Sequence, residues 1–200
     1  TLTALNDVSL DIRPGEILGV VGESGAGKSM TGAAILGLLE RPGRVASGEI
    51  LLAGRRIDTL SDAQMAKIRG REIGAIFQDP LTSLNPLFTV GAQLIETLRV
   101  HLPALSKAAA RQRAIELLTE VGIPAPAERV DAYPHQFSGG MRQRVVIALA
   151  LAAGPKLIIA DEPTTALDVS IQAQITSLLR RLCKENGTAV MLVTHDMGVI

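Results

Sequence analysis

Residues 22–29 read Gly-Glu-Ser-Gly-Ala-Gly-Lys-Ser, and no other stretch of the chain limits its fold so strongly. The octet matches G-x-x-x-x-G-K-[ST]. An apolar run precedes it and a helical pattern follows, which is the context that separates a phosphate loop from a glycine-rich turn with a solvent-facing lysine. Glycines let consecutive backbone N–H groups curl around a phosphate chain. The helix that follows turns its positive end toward that charge. Lys28 supplies a point charge to the terminal phosphates, and the Ser29 hydroxyl is available to Mg²⁺. Gly22, Glu23, Ser24, Gly25, Ala26, Gly27, Lys28 and Ser29 are therefore the expected nucleotide-binding residues.

The rest of the chain alternates in a way that suits such a loop. Glu16–Val21 is expected to be a buried strand and Lys28–Leu39 a helix, with short strands at Glu49–Ala53 and Ile73–Phe77. Leu157–Ala160 and Ala189–Thr194 are almost continuously apolar, as strands of a parallel sheet covered on both faces must be. Between Val90 and Ala153 the pattern turns helical, with Val90–His101, Lys107–Val121 and Gly140–Ala153 separated at Pro103, Pro124 and Pro126. This predicts a single α/β domain: a core formed by about 1–89 and 155–200, and a helical subdomain at about 90–154. The basic stretch Lys107–Ala114 is expected to be a solvated helix face.

Composition narrows the function classes. With 20 Lys+Arg against 20 Asp+Glu, there is no basic excess to suggest nucleic acid. The single cysteine, Cys183, excludes an internal disulfide and a four-cysteine zinc site, and is expected to be an ordinary helix residue. The longest apolar run, Val145–Ala153, falls far short of the ~18 residues of a spanning helix. No signal pattern opens the chain. Both ends look cut, so a piece of a longer cytosolic protein is expected.

A magnesium–phosphate site needs an acid on a neighbouring strand. Leu157–Ala160 buries such a strand and delivers Asp161 at its C-terminal end, where ligands sit in open α/β sheets. Asp161 is expected to hold Mg²⁺. Glu162 comes next, leaves the chain on another side, and is placed to polarise an attacking water. His195 follows the last strand and is within the same edge. His101 is expected to be a solvated helix end and His135 to serve in loop packing.

Phe137-Ser138-Gly139-Gly140-Met141-Arg142-Gln143-Arg144 resembles the signature motif of the ATP-binding cassette (ABC) ATPases: small residues at a helix start, with a hydroxyl and free N–H groups aimed at an anion. Five further segments are similar to that family's motifs, in its order. They are the phosphate loop, Gln78 as the Q-loop glutamine, Asp161-Glu162 as Walker B aspartate and catalytic glutamate, Ala166-Leu167-Asp168 as the D-loop, and His195 as the switch histidine. The resemblance implies a P-loop NTPase (RecA-like) core of the ABC type with a helical subdomain. It also implies an ATPase using ATP and Mg²⁺, with Glu162, His195 and Gln78 catalytic and Ser29, Gln78 and Asp161 at the metal. Ser138, Gly139, Gly140 and Met141 would complete the ATP site of a partner cassette, and Asp168 would cross the dimer interface.

Gln78–Pro86, Tyr133–Phe137 and Ala160–Val169 are further similar to peptide and nickel importers, with the dipeptide and oligopeptide permeases the nearest likeness. That likeness implies a subunit on the cytoplasmic face of the cell (inner) membrane. Its partners would be a second ATPase subunit or copy, two membrane permease subunits and, indirectly, a substrate-binding protein, with no nucleic acid. Other solutes (nickel, glutathione, opines) and a soluble ABC ATPase of DNA repair or translation remain alternatives. Prolines stiffen the loop Asp79–Pro86, as suits a surface that transmits force. Met141 departs from the glutamine of many cassettes. The adenine-stacking aromatic is expected upstream of Thr1, since Phe77 is the first aromatic of the chain, and a C-terminal extension beyond Ile200.

Overall fold

Four parallel strands form the main sheet, and all four run toward the same edge. The computed structural model describes residues 3–23, 25–164 and 168–195, and only the backbone of residues 80 and 81. Strand β1 (Ile17–Val21) leads through the glycine loop into α1 (Lys28–Leu36). A small hairpin of β2 (Leu51–Leu52) and β3 (Arg55–Arg56) and a one-turn helix α2 (Asp62–Met65) precede β4 (Ile73–Ile76). Five helices then follow: α3 (Pro80–Ser83), α4 (Val90–His101), α5 (Lys107–Glu120), α6 (Pro126–Arg129) and α7 (Gly139–Leu151). The chain closes with β5 (Leu157–Asp161), α8 (Val169–Asn186) and β6 (Ala189–Thr194). The sheet order is β1-β6-β5-β4.

The near-continuous apolar strands are explained by the layers. Ile158, Ala160, Val190 and Leu192 face a core shared with α4, α5, α7 and α8. Their alternates Leu157, Ile159, Met191 and Val193 face a second core with Ile35 and Leu36 of α1 and with Ile57, Met65 and Ile68. Side chains alternate across a strand, so a strand covered on both faces carries no polar alternation. Backbones come closest where β4 meets α7: a Cβ on Gly74 would collide with the carbonyl oxygen of Ala150.

Several expectations are corrected. The first helix stops at Leu36 instead of Leu39, because Gly37 takes a left-handed conformation (φ 64°) and closes the helix onto Ala33 and Ala34. Arg69 adds a cap there, donating from Nε to the Leu36 carbonyl at 2.8 Å and from Nη2 to Gly37 at 3.1 Å. The apolar run at 49–53 yields only the two residues of β2, paired with β3, for which the sequence offers no apolar alternation. Helix α8 is not expected beyond a helical setting for Cys183, although Ile175, Leu178, Leu179 and Leu182 mark its buried stripe. The loop 79–86 contains α3. His101 is half-buried instead of solvated, and His135 is exposed, stacking on Tyr133 at 5.7 Å between ring centroids. Cys183 is buried, and burial pushes its thiol up. Among the described residues, no helix is long and apolar enough to cross a membrane.

Burial, aided by the nearby Arg71, lowers the pKa of His101. The folded state thus favours neutral His101, and its contribution is fully present above the ordinary histidine pKa of about 6.5 and lost as pH falls through the lower folded value. Urea denaturation at pH 7.5 and pH 5 should show the wild type losing more stability on acidification than His101→Gln.

Candidate functional site

The phosphate loop has the backbone its sequence calls for. Gly25 and Gly27 adopt φ of 85° and 83°, a region other residues enter at a cost. A Cβ on Gly27 would also meet Leu5 at 2.6 Å. Gly27 is the N-cap of α1 and makes no side-chain cap, and the first turn of that helix holds no acid. No carboxylate of its own first turn thus competes for the N–H groups at this helix start, which fits an anionic ligand. Lys28 Nζ donates to the carbonyls of Gly22 at 2.7 Å and Glu23 at 2.8 Å, so the amine is folded back over the loop. Ser24 lies outside the described residues.

Parallel register brings three other segments to this loop. Ser29, one residue into α1, donates its hydroxyl to Asp161 Oδ1 at 3.1 Å, across 132 residues of sequence. Glu162 follows, with its backbone N–H bonded to the Val193 carbonyl of β6 at 2.9 Å. Its φ is 47°, a left-handed conformation costly for a residue with a long side chain. That turn carries the carboxylate away from Asp161 and toward two partners. Gln78 donates from Nε2 to Glu162 Oε2 at 3.0 Å, and His195 Nδ1 lies 3.0 Å from Glu162 Oε1. The Glu162 side chain is 19% exposed and the imidazole 58%. Gln78 leaves the end of β4, Asp161 and Glu162 the end of β5, and His195 the end of β6.

Each of these residues was picked out by the sequence, and they converge. What the sequence does not reveal is the pairing of Glu162 with both Gln78 and His195, since it depends on a single unusual backbone angle. The signature residues stand apart. Ser138 is the N-cap of α7, accepting from the Met141 N–H at 3.3 Å, and Gly140 packs against Ile171 of α8. Among the described residues, Ser138, Gly139, Gly140 and Met141 make no hydrogen bond to the phosphate loop, Gln78, Asp161, Glu162 or His195. Asp168 is exposed at the start of α8, while Ala166 and Leu167 lie outside the described residues.

The donor set fits a hard cation that arrives with a nucleotide. Ser29 and Asp161 offer one hydroxyl and one carboxylate side by side, with Gln78 nearby. That is too little charge for a dedicated cage and suits Mg²⁺ shared with phosphate oxygens.

Comparison with known proteins agrees with this geometry. A family model described as ABC transporter matches residues 5–165. The chain is 56% identical over 198 residues to the oligopeptide transport ATP-binding protein OppD of Bacillus subtilis, covering 98% of this chain and 55% of that protein. It is 51% identical over 197 residues to the dipeptide transport ATP-binding protein DppD of Escherichia coli, covering 98% of this chain and 60% of that protein. The chain thus spans a little over half the length of these curated relatives. A solved structure of an ATP-binding cassette, dimeric and in a post-hydrolysis state with ADP and Pi bound, superposes with a TM-score of 0.83 at 36% identity, covering 98% of this chain and 82% of that one. The fold is that of the ABC-type P-loop cassettes.

Ser138 is first of all a helix cap. Ser138→Ala should lower stability by about 1 kcal/mol, the usual cost of a lost N-cap. Urea unfolding should show it as a shifted midpoint with an unchanged slope.

Proposed function

The chain belongs to the ABC transporter family, and on that premise we propose that it is the ATP-binding and ATP-hydrolysing part of an importer subunit for dipeptides or oligopeptides. The observation that carries this reading is Glu162. Its carboxylate is held at 3.0 Å by both Gln78 and His195, one residue from an aspartate bonded to the phosphate-loop serine.

In the proposed reaction water attacks the γ-phosphorus of ATP, the bond to the ADP oxygen breaks, and ADP and phosphate leave. Lys28 exchanges the Gly22 and Glu23 carbonyls for phosphate oxygens, and with the start of α1 it balances their charge. Glu162 takes the proton of the attacking water. Gln78 and His195 keep that carboxylate from rotating, and His195 can turn a ring N–H toward the phosphate. Ser29 and Asp161, with Gln78 near Glu162 beside them, would hold Mg²⁺, which would supply charge neutralisation on the phosphates.

The partners follow from what the site lacks. Among the described residues, Ser138–Met141 make no hydrogen bond to their own phosphate loop, and we assign them to the nucleotide of a second cassette. Phe77, Leu87 and Phe88 are 52%, 79% and 55% exposed around the segment that follows Gln78. Gln93 ties that segment to α4, accepting from Asn85 N–H and donating to the Asn85 and Phe88 carbonyls at 3.0–3.1 Å. This apolar, braced surface suits contact with two membrane permease subunits at the cytoplasmic face, with a substrate-binding protein joining from the far side. The helical subdomain at about 90–154 carries the signature and braces this surface through Gln93.

Glu162→Gln should leave ATP binding intact and reduce turnover by roughly 10²–10⁴, the range for a lost general base. Lost affinity with an unchanged kcat would exchange the roles of Asp161 and Glu162. Turnover should disappear in EDTA and return with added Mg²⁺. Sharing of the site is tested by mixing Lys28→Ala chains with Ser138→Arg chains. One composite site of a mixed dimer keeps both elements, so the mixture should recover activity that neither variant has alone.

A further inference from the structure

Gln143 of α7 is fully buried, and among the described residues it is the side chain whose carboxamide nitrogen and oxygen are both buried without a hydrogen-bond partner. Leaving such groups unpaired costs about 1–3 kcal/mol each, while an apolar side chain of the same shape would cost nothing. A glutamine in that position is therefore costly unless its amide finds a partner.

Its place in the fold identifies that partner. Helix α7 joins β5 through the short segment 152–156, and β5 is parallel to β4, so α7 runs antiparallel to β4. Ala150 of α7 is the residue whose backbone abuts Gly74 of β4. Gln143 precedes Ala150 by two helical turns, on the same face, and so lies about 10 Å further along. Strand β4 climbs about 3.3 Å per residue, which brings Phe77 and Gln78 to the level of Gln143. Here the chain has left the sheet, because the β4–β5 ladder ends at the pair Ile76–Ala160. The next turn is committed elsewhere: Thr82 and Ser83 both donate their hydroxyls to the Asp79 carbonyl, at 3.2 and 2.8 Å. The Phe77 and Gln78 side chains are exposed, while Ile76 just before them is fully buried in the core that α7 helps to form, so the segment Phe77–Gln78 starts from the α7 surface.

We propose that Gln143 is a positioning residue for hydrolysis, whose carboxamide bonds the backbone of Phe77–Gln78 when the nucleotide-loaded site closes. The bond ties α7, which begins with Ser138–Met141, to the residue that holds the Glu162 carboxylate. Engagement of the α7 start thereby fixes Gln78, and Glu162 with it. The proposal rests on the assignment of Glu162 as the base, and concerns how that base is set.

The test uses the full-length protein in its transporter, with Gln143→Leu and the more flexible Gln143→Met. Stability of either variant should stay level or rise, since an orphan amide is removed. Its kcat for ATP should fall about tenfold with the KM unchanged, the loss of about one hydrogen bond in the transition state. A purely structural glutamine would give the reverse pattern, lower stability with an unchanged kcat, and that result overturns the proposal. In a double-mutant cycle with Gln78→Ala, Gln143→Leu should add no further slowing; full multiplication of the two losses also overturns it. Glu162→Gln is assayed in parallel. If it is inactive while Gln143→Leu turns over normally, the positioning role alone fails; if Glu162→Gln turns over normally, the hydrolytic reading fails and the positioning role with it.

Discussion

The parallel ladder that sets β5 between β4 and β6 is the constraint on which the site depends. Residues paired at Ile76–Ala160 and Asp161–Val193 end their strands at nearly the same height, so Gln78, Asp161, Glu162 and His195 emerge along a single edge. The ladder β1–β6 brings Val21 level with Thr194, which delivers the phosphate loop to that edge as well. A one-residue slip of β5 would turn Ile158 and Ala160 into the opposite core and carry Asp161 away from Ser29. Two cores, one on each face, make such a slip costly. The apolar strands are thus the means by which distant polar groups meet.

Much of this was legible in the sequence because the chemistry is local there. Gly22–Ser29 is contiguous, and Leu157–Asp161 announces a buried strand ending in an acid. Helix α4 and strand β6 fall at the expected residues, Val90–His101 and Ala189–Thr194, since their ends are marked by Thr89 as cap and by an unbroken apolar run. What escaped depends on three-dimensional partners. The end of α1 falls at the left-handed Gly37 and is fastened there by Arg69 from 33 residues away. His101 is half-buried because the Gly70–Arg71 turn packs on it, which no helical pattern reports. Strand β3, Arg55–Arg56, has no strand signal of its own; the hairpin base is held by Asp58, which accepts from the Ile50 N–H across it, and by Arg56, which donates to the Gly48 carbonyl. The position of Glu162 hinges on a dihedral that composition does not encode.

Helix α7 shows how one element serves several demands. Its start presents the small residues Gly139 and Gly140 under a serine cap. Its middle buries Val145, Ile147 and Ala148, while Arg144 reaches out to the Val121 carbonyl and the Gln174 side chain at 2.7 and 3.1 Å. Its end lies close enough to β4 that only glycine fits at position 74. Packed on Ile171 of α8 near its start and on Gly74 of β4 near its end, α7 bridges the signature segment and the strand edge.

The left-handed backbone at Glu162 sets function against durability. Glycine or asparagine would sit at that angle with less strain, so thermal selection acting on fold alone would favour replacing the very carboxylate that Gln78 and His195 hold. An engineering campaign that ranks variants of this chain by melting temperature would be drawn to position 162 and, on the proposed role of Glu162, would return a sturdier, inert protein. The strain marks the residue that stability screening has to leave untouched.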